Sequence, residues 1–262
     1  MADRFNVAEA LAGGCPTRAD AWTFVHGFAA AWSAPLSPTD GFTSADVQRA
    51  EDRLGFRLPV ALREAYALFG RRRDLVAQQN PLLEPDELLL DPSGELLVFR
   101  SENQGCAGWG VALADLSRED PPVALFGDRL PGSSRLHFLD RLSLACVEIV
   151  LSEAVMAGRI EGRSRICRAT PEVVACLEEK FAPVALSPYP AWFEPKGQPV
   201  RWFSASGLVL CLEPGSEVRD LVVTGMTTAD VQRAVEAIPG AWPPAVPAVT
   251  EAVSDHEWAL PF

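Results

Sequence analysis

Lysine is nearly missing from this 262-residue sequence: two of its 23 basic residues are Lys, at Lys180 and Lys196. Beside abundant Ala, Leu and Pro, that reads as the coding bias of a GC-rich gene rather than a physical demand. Metal-binding spacings are missing too. The cysteines (Cys15, Cys106, Cys146, Cys167, Cys176 and Cys211) are scattered, without a C-x-x-C pair and without a His at ligand distance, so no zinc or other metal site is expected. No apolar run reaches the roughly 18 residues of a membrane span. Residues 1–11 carry Asp3, Arg4 and Glu9 where a signal peptide would be apolar. The expected setting is therefore the cytoplasm, where thiols stay reduced. Positive charge is scarce as well. A formal net charge of −12 argues against nucleic acid as a partner, because phosphate contacts need a basic face.

Known catalytic patterns are absent. Gly105-Cys106-Ala107-Gly108-Trp109-Gly110 has the wrong glycine order for a dinucleotide fingerprint and precedes a strand. There is no phosphate-cradling Gly-Lys-Ser/Thr loop and no Gly-x-Ser-x-Gly, and Gly132-Ser133-Ser134 has no helix behind it. Cys106 with His137 as base is the one nucleophile pair to weigh, against the commoner role of Cys as a small buried hydrophobe. No catalytic residue, cofactor or metal is assigned.

What is present is a large core and an uneven charge distribution. The hydrophobic fraction is 48%, enough for one large domain or a domain with a substantial extension. Residues 49–73 hold seven Arg against Glu51, Asp52 and Glu64, whereas residues 84–120 hold nine acids against Arg100 and Arg118. The second segment is either a solvated rim or a docking face for a basic partner.

Along the chain, Thr17 or Asp20 caps a helix running to about Trp32, with Ala21, Phe24, Val25, Phe28 and Trp32 at helical spacing, until Pro35 and Pro38 break it. His26 beside this face reads as a packed or solvated side chain. Thr43-Ser44-Ala45-Asp46 forms a capping box before the stripe Val47, Ala50, Leu54. Gly55 stops that helix, and Pro59 starts another carrying Leu62, Tyr66 and Phe69. Arg71-Arg72-Arg73 after it suits the helix dipole and the acidic segment beyond.

Strands are expected at 87–90, 96–100, 109–113, 123–126 and 136–138, with turns at Asp91-Pro92-Ser93-Gly94 and at Glu102-Asn103-Gln104-Gly105. Pro121-Pro122 stops pairing, so the strand at 123–126 begins as an edge strand or at the first position of one. A helix over 140–157 is apolar around most of its circumference and should be buried, ended by Gly158. Its Glu148 and Glu153 are read as an exposed stripe rather than a paired-carboxylate site. Residues 161–168, with Arg163, Arg165 and Arg168, read as a linker. Pro171 then starts a helix to about Phe181, followed by strands at 184–186, 200–204, 208–212 and 221–223 and a helix over 228–237. The tail with Pro239, Pro243, Pro244 and Pro247 reads as irregular. Residues 43–50 and 227–234 match at all but one position. Without a longer repeat behind them, this favours recurring helix-start chemistry over duplication.

Leu54-Gly55-Phe56-x-Leu58-Pro59 followed by Leu62-Arg63-x-x-Tyr66 resembles the opening of the SUKH superfamily, which includes fungal cell-wall-assembly regulators and bacterial immunity proteins. Glu102-Asn103-Gln104-Gly105, Trp109-Gly110-Val111, Asp115-Leu116 and Asp120-Pro121-Pro122-Val123 resemble its middle block. The resemblance covers about 40–158. It implies an α+β fold: an antiparallel sheet of about four to six strands with paired N-terminal helices and a buried C-terminal helix, in agreement with the order of elements above. The corresponding division is an N-terminal helical extension at 1–38, a SUKH-like domain at 39–158 and an α+β extension at 159–262.

It also implies a non-enzymatic protein-binding role, as an immunity protein that neutralises a toxin domain, frequently a nuclease. The alternative is a housekeeping scaffold or regulatory adaptor of the same fold. On this reading Glu102, Asn103, Gln104, Asp115, Glu119 and Asp120 offer polar atoms to a protein partner. Leu58, Pro59, Tyr66, Trp109, Pro121 and Pro122 make the frame.

Overall fold

A computed structural model describes residues 4–130, 134–214 and 219–243. The short α1 (Val7–Ala10) leads into α2 (Arg18–Trp32), then α3 (Ser44–Leu54), α4 (Val60–Phe69) and α5 (Arg73–Val76). An antiparallel meander follows: β1 (Leu89–Leu90), β2 (Leu96–Ser101), β3 (Ala107–Ala112), β4 (Val123–Gly127) and β5 (Leu136–Leu139). After α6 (Leu142–Ile160) the chain builds a second sheet from β6 (Ser164–Arg168), β7 (Ala182–Pro183), β8 (Arg201–Ala205), β9 (Leu208–Glu213) and β10 (Asp220–Gly225). Its spatial order is β6-β10-β9-β8-β7, again antiparallel. Helix α7 (Pro171–Lys180) and α8 (Thr228–Ala237) belong to this half. The α+β class is as expected, with two five-stranded sheets among the described residues.

Helix α6 is the axis. It packs against α2, α4 and α5 of the first half and against β10 and β6 of the second. An apolar residue on nearly every side matches that position, because little of the helix before its last turn is left for water. Gly158 lies inside this helix rather than ending it. A Cβ there would stand 2.4 Å from Thr224 Cγ2 and 2.6 Å from Ser164 Oγ, so the missing side chain is what lets α6 meet β10 and β6.

The second sheet is covered on both faces, and the period of two sorts its residues between them. Val209, Cys211, Val222 and Trp202 point into the main core shared with α6 and the first sheet. Leu208, Leu210, Leu212, Leu221, Val223 and Phe203 join Val173, Leu177, Val231 and Ala234 of α7 and α8 in a second cluster. The main core also takes in Phe24, Val25 and Phe28 of α2, so the N-terminal helix is built into it.

Two further expectations need correction. Residues 164–168 are strand β6, not linker. Arg165 and Arg168, which suggested a solvated connector, lie on an edge strand that keeps only Cys167 buried and exposes Ile166 and Arg168. The strand expected at 184–186 lies instead at Ala182–Pro183, paired with β8. Of the tail, Pro239 and Pro243 stand outside regular elements, while Pro244 and Pro247 lie outside the described residues, as do Gly132 and Ser133.

Candidate functional site

The residues expected to face a partner divide into two groups. Glu102 is buried, at 2% exposure. Its carboxylate accepts the amides of Gln104 (2.8 Å) and Cys106 (3.2 Å), so it is an inner strut of its turn and offers nothing outward. Asp120 also turns inward, accepting Ser143 N (2.8 Å) and Ser143 Oγ (2.6 Å) at the start of α6, with Arg141 at 3.7 Å. These two acids hold the frame, contrary to the role given them from the sequence. The others reach solvent. Asn103 and Asp115 are half-buried and Gln104 and Glu119 are exposed. Asp115 lies 3.5 Å from Arg118. Glu119 pairs with Arg18 at 2.7 Å and lends its carbonyl to Ala61 N in the first turn of α4.

The frame residues stand where the pattern put them. Leu58, Pro59, Tyr66, Trp109 and Pro121 are buried and Pro122 is half-buried. Tyr66 donates its hydroxyl to Leu83 O at 2.6 Å and meets Phe42 edge-on at 5.8 Å. Leu58 N donates to Glu51 Oε1 at 2.8 Å, which carries Glu51 into the core.

Cys106 and His137 are not brought together. His137 pairs with Ala124 across β4–β5, and Ala124 with Gly110 across β3–β4. Cys106 therefore lies two strands away and four residues along, roughly 17 Å by ordinary sheet spacings. His137 stands 3.1 Å from Asp140 instead. Among the described residues no group of three or more His, Cys, Asp or Glu side chains could hold a metal ion.

The polar centre of the molecule lies elsewhere, beside a cleft of about 180 Å³ where the two halves meet along α6. Arg100, at the end of β2, is 2% exposed. It donates to Glu148 at 2.6 Å and Glu153 at 3.2 Å on α6, to Ser152 Oγ at 2.9 Å and to the Asn80 carbonyl at 3.0 Å. Its guanidinium also lies 4.5 Å over the ring of Trp109, its cross-strand neighbour in the ladder. Glu153 further accepts the backbone amides of Gln78, Gln79 and Asn80. Glu148 accepts the hydroxyl of Tyr189 at 3.1 Å, and Tyr189 in turn accepts Trp202 Nε1 at 2.8 Å. One chain of hydrogen bonds thus runs from the first sheet through α6 into the second.

Burial would lower the Arg100 pKa, but the carboxylates of Glu148 and Glu153 outweigh it and leave it raised. Glu148 is raised by its burial, which the pull of Arg100 does not cancel. Tyr189 is pushed well up by burial and by the Glu148 charge.

Glu148 and Glu153 were expected on an exposed stripe; they are 5% and 0% exposed. The signal that marks them is composition in context. An Arg closing an apolar strand and two Glu in an otherwise apolar helix are buried charges, and buried charges must be paired. Tyr189, Trp202 and Asn80 carried no comparable mark.

From floor to mouth, the cleft becomes wetter. Arg100 and Glu148 side chains are 2% and 6% exposed, while Arg159 and Glu213 reach 34% and 26% and stand 3.7 Å apart. Burial raises the Glu213 pKa despite Arg159. Phe138, Tyr189, Trp192, Phe193 and Trp202 supply aromatic walls.

A separate acidic rim lies on the loop before β1, where Glu84, Asp86 and Glu87 are all exposed. None of the three has an ion-pair partner among the described residues, although Arg53 reaches the carbonyls of Pro85 and Leu88 between them. The Glu84 carboxyl is raised, first by partial burial and then by the charges of Glu87 and Asp86. No helix among the described residues is long and apolar enough to cross a membrane. Compared with known proteins, the chain matches no family model, no curated protein and no solved structure, and the SUKH resemblance rests on the residues quoted for it.

Proposed function

We propose that this chain is a non-enzymatic, cytoplasmic protein-binding module that docks a basic partner, in the manner of an immunity protein neutralising a nuclease-type toxin domain. The observation that carries this reading is a cluster of three exposed carboxylates in the acidic segment that have no ion-pair partner among the described residues. Elsewhere in that segment Asp91 and Glu95 meet Arg135, Asp115 meets Arg118, Glu119 meets Arg18 and Asp120 lies by Arg141. The carboxylates of Glu84, Asp86 and Glu87 are left facing water without such partners. The crowding of like charge around Glu84 is relieved by an approaching cation, and such a surface speeds and selects a basic partner. The SUKH resemblance supplies the biological role.

The test is binding between the purified protein and the product of the neighbouring open reading frame. Tight association that weakens steeply with salt, inhibition of a toxic activity, and loss of affinity in Glu84→Gln/Glu87→Gln support the reading. No binding at low salt, with no toxin encoded nearby, overturns it. A pull-down returning cellular proteins, with a gene that lies alone, favours the scaffold or adaptor role instead.

A further inference from the structure

The cleft along α6 has the chemistry of a receptor for a cationic side chain, a conclusion that deepens the binding role above and depends on it for the source of that side chain. Its charged lining is Arg100, Arg159, Glu148, Glu153 and Glu213, three carboxylates against two guanidiniums. Arg100 on the floor spends four of its five N–H donors on Asn80, Glu148, Ser152 and Glu153 and is already paired with two carboxylates. Glu213 is the loosest of the acids: among the described residues its ion-pair partner is Arg159, at 3.7 Å, near the open end. Aromatic faces beside an excess carboxylate attract cations, and guanidinium is favoured because it is weakly hydrated and stacks on rings.

The orphan atoms agree. Asn80 is 7% exposed, and its Oδ1 receives no hydrogen although its backbone N and O are both bonded. Trp109, 3% exposed, donates its Nε1 to nothing, and neither does Arg159 Nε. Buried polar atoms without partners cost stability, so a structure that keeps three of them around one cavity is poised for a ligand. The acceptor asks for an N–H donor, and Arg159 Nε, near the mouth where a peptide backbone can reach, asks for a carbonyl. An arginine held in a peptide carries both, joined by an aliphatic stem that suits Val155, Met156 and Ala191 on the wall. The volume of 180 Å³ is below the roughly 300–1,000 Å³ of drug-sized sites, which suits one side chain better than a whole cofactor.

The geometry points to this cleft as the seat of an arginine side chain presented by a basic protein partner, with Glu213 as the carboxylate that meets the guanidinium. The probe is N-acetyl-L-argininamide, titrated into the intact protein while following the emission of the cleft tryptophans Trp109, Trp192 and Trp202. A saturable change is expected, absent with N-acetyl-L-glutamate amide and with the neutral glutamine analogue. n-Butylguanidine, which has the guanidinium and an aliphatic stem but no peptide carbonyl and no second charge, should bind more weakly; equal or tighter binding of it overturns the peptide source. In Glu213→Gln, checked for native circular dichroism, affinity should fall on the order of tenfold or more, as for loss of a charge-assisted hydrogen bond.

An emission change that does not saturate, or that the acidic and neutral analogues reproduce, removes the inference whether or not the variant folds. The two readings fail separately. Salt-dependent partner binding without a response to the amide refutes the cleft alone. A saturable response to the amide without any basic partner keeps the cleft and refutes the docking role.

Discussion

Arg100 shows how a single buried charge constrains everything around it. Taking a guanidinium out of water costs several kcal/mol, and the attraction of Glu148 and Glu153 offsets that only while all three are present. Glu153 is further tied to three backbone amides of residues 78–80, and Glu148 to Tyr189, so removing the arginine strands two carboxylates that cannot turn to solvent. Arg100→Met, of similar length and without charge, is expected to destabilise the protein by about 3–5 kcal/mol, the usual cost of leaving buried ions unpaired. Urea denaturation at neutral pH measures it. Adding Glu148→Gln should recover part of the loss, because Glu148 is the carboxylate whose ionisation burial already disfavours. A loss under about 1 kcal/mol in the single variant would mean that water reaches the cluster and that its members are not a buried unit.

At the scale of elements, three helices begin with one device. Thr17, Thr43 and Thr227 each accept the amide of an aspartate three residues on, and Asp20, Asp46 and Asp230 each accept the threonine amide in return. The near-identical stretches at 43–50 and 227–234 are two of these starts, opening α3 and α8. Asp230 is the most buried of the three and also pairs with Arg233 and Arg4. Burial pushes its pKa up, but the Thr227 hydrogen bonds and the two arginines prevail, so the folded value is lowered.

A depressed carboxylate contributes stability that is complete above the ordinary Asp value of about 3.9 and is lost as pH falls through the folded value. Asp230→Asn should therefore lower stability near neutral pH, by about 1 kcal/mol for the cap. It should also flatten the acid limb of the curve below about pH 4. Denaturation midpoints between neutral pH and acid, compared with the unaltered chain, check both; an unchanged acid slope would mean that Asp230 titrates alike in folded and unfolded chains.

These helix starts were legible in the sequence because capping is local, settled within four residues. The Arg100 cluster was not, because its partners lie 48 and 53 positions away. The composition of α6 announced burial, but only the packing tells which of its charges face a partner. Glu102 misled for the same reason: a polar turn reads as surface until its carboxylate is seen folded onto its own amides.

For the whole molecule, the question is whether residues 39–158 stand alone. The resemblance marks them as a domain, yet the core does not stop at either boundary. Phe24 and Phe28 of α2 and Trp202, Val209, Cys211 and Val222 of the second sheet belong to the same apolar cluster as Tyr66, Phe99 and Ile149. Helix α6 lies against α2 on one side and β10 on the other, and the hydrogen-bonded chain from Arg100 to Trp202 crosses the second boundary. A domain that folds alone needs its own closed core, and few contacts should cross its edges. Here a fragment limited to 39–158 would bare two faces of an almost wholly apolar helix and leave Glu148 without Tyr189.

The full chain is therefore expected to unfold in one transition, with tryptophan emission and far-ultraviolet circular dichroism coinciding. The fragment is expected to bind a hydrophobic dye and to melt without a cooperative step, the behaviour of a compact state lacking fixed packing. Restoring 4–38 should not suffice, because the face toward β10 and β6 stays open. A fragment of 39–158 that gives a sharp transition and no dye binding would show that α6 closes its own core, and that the second sheet is an addition rather than half of the structure.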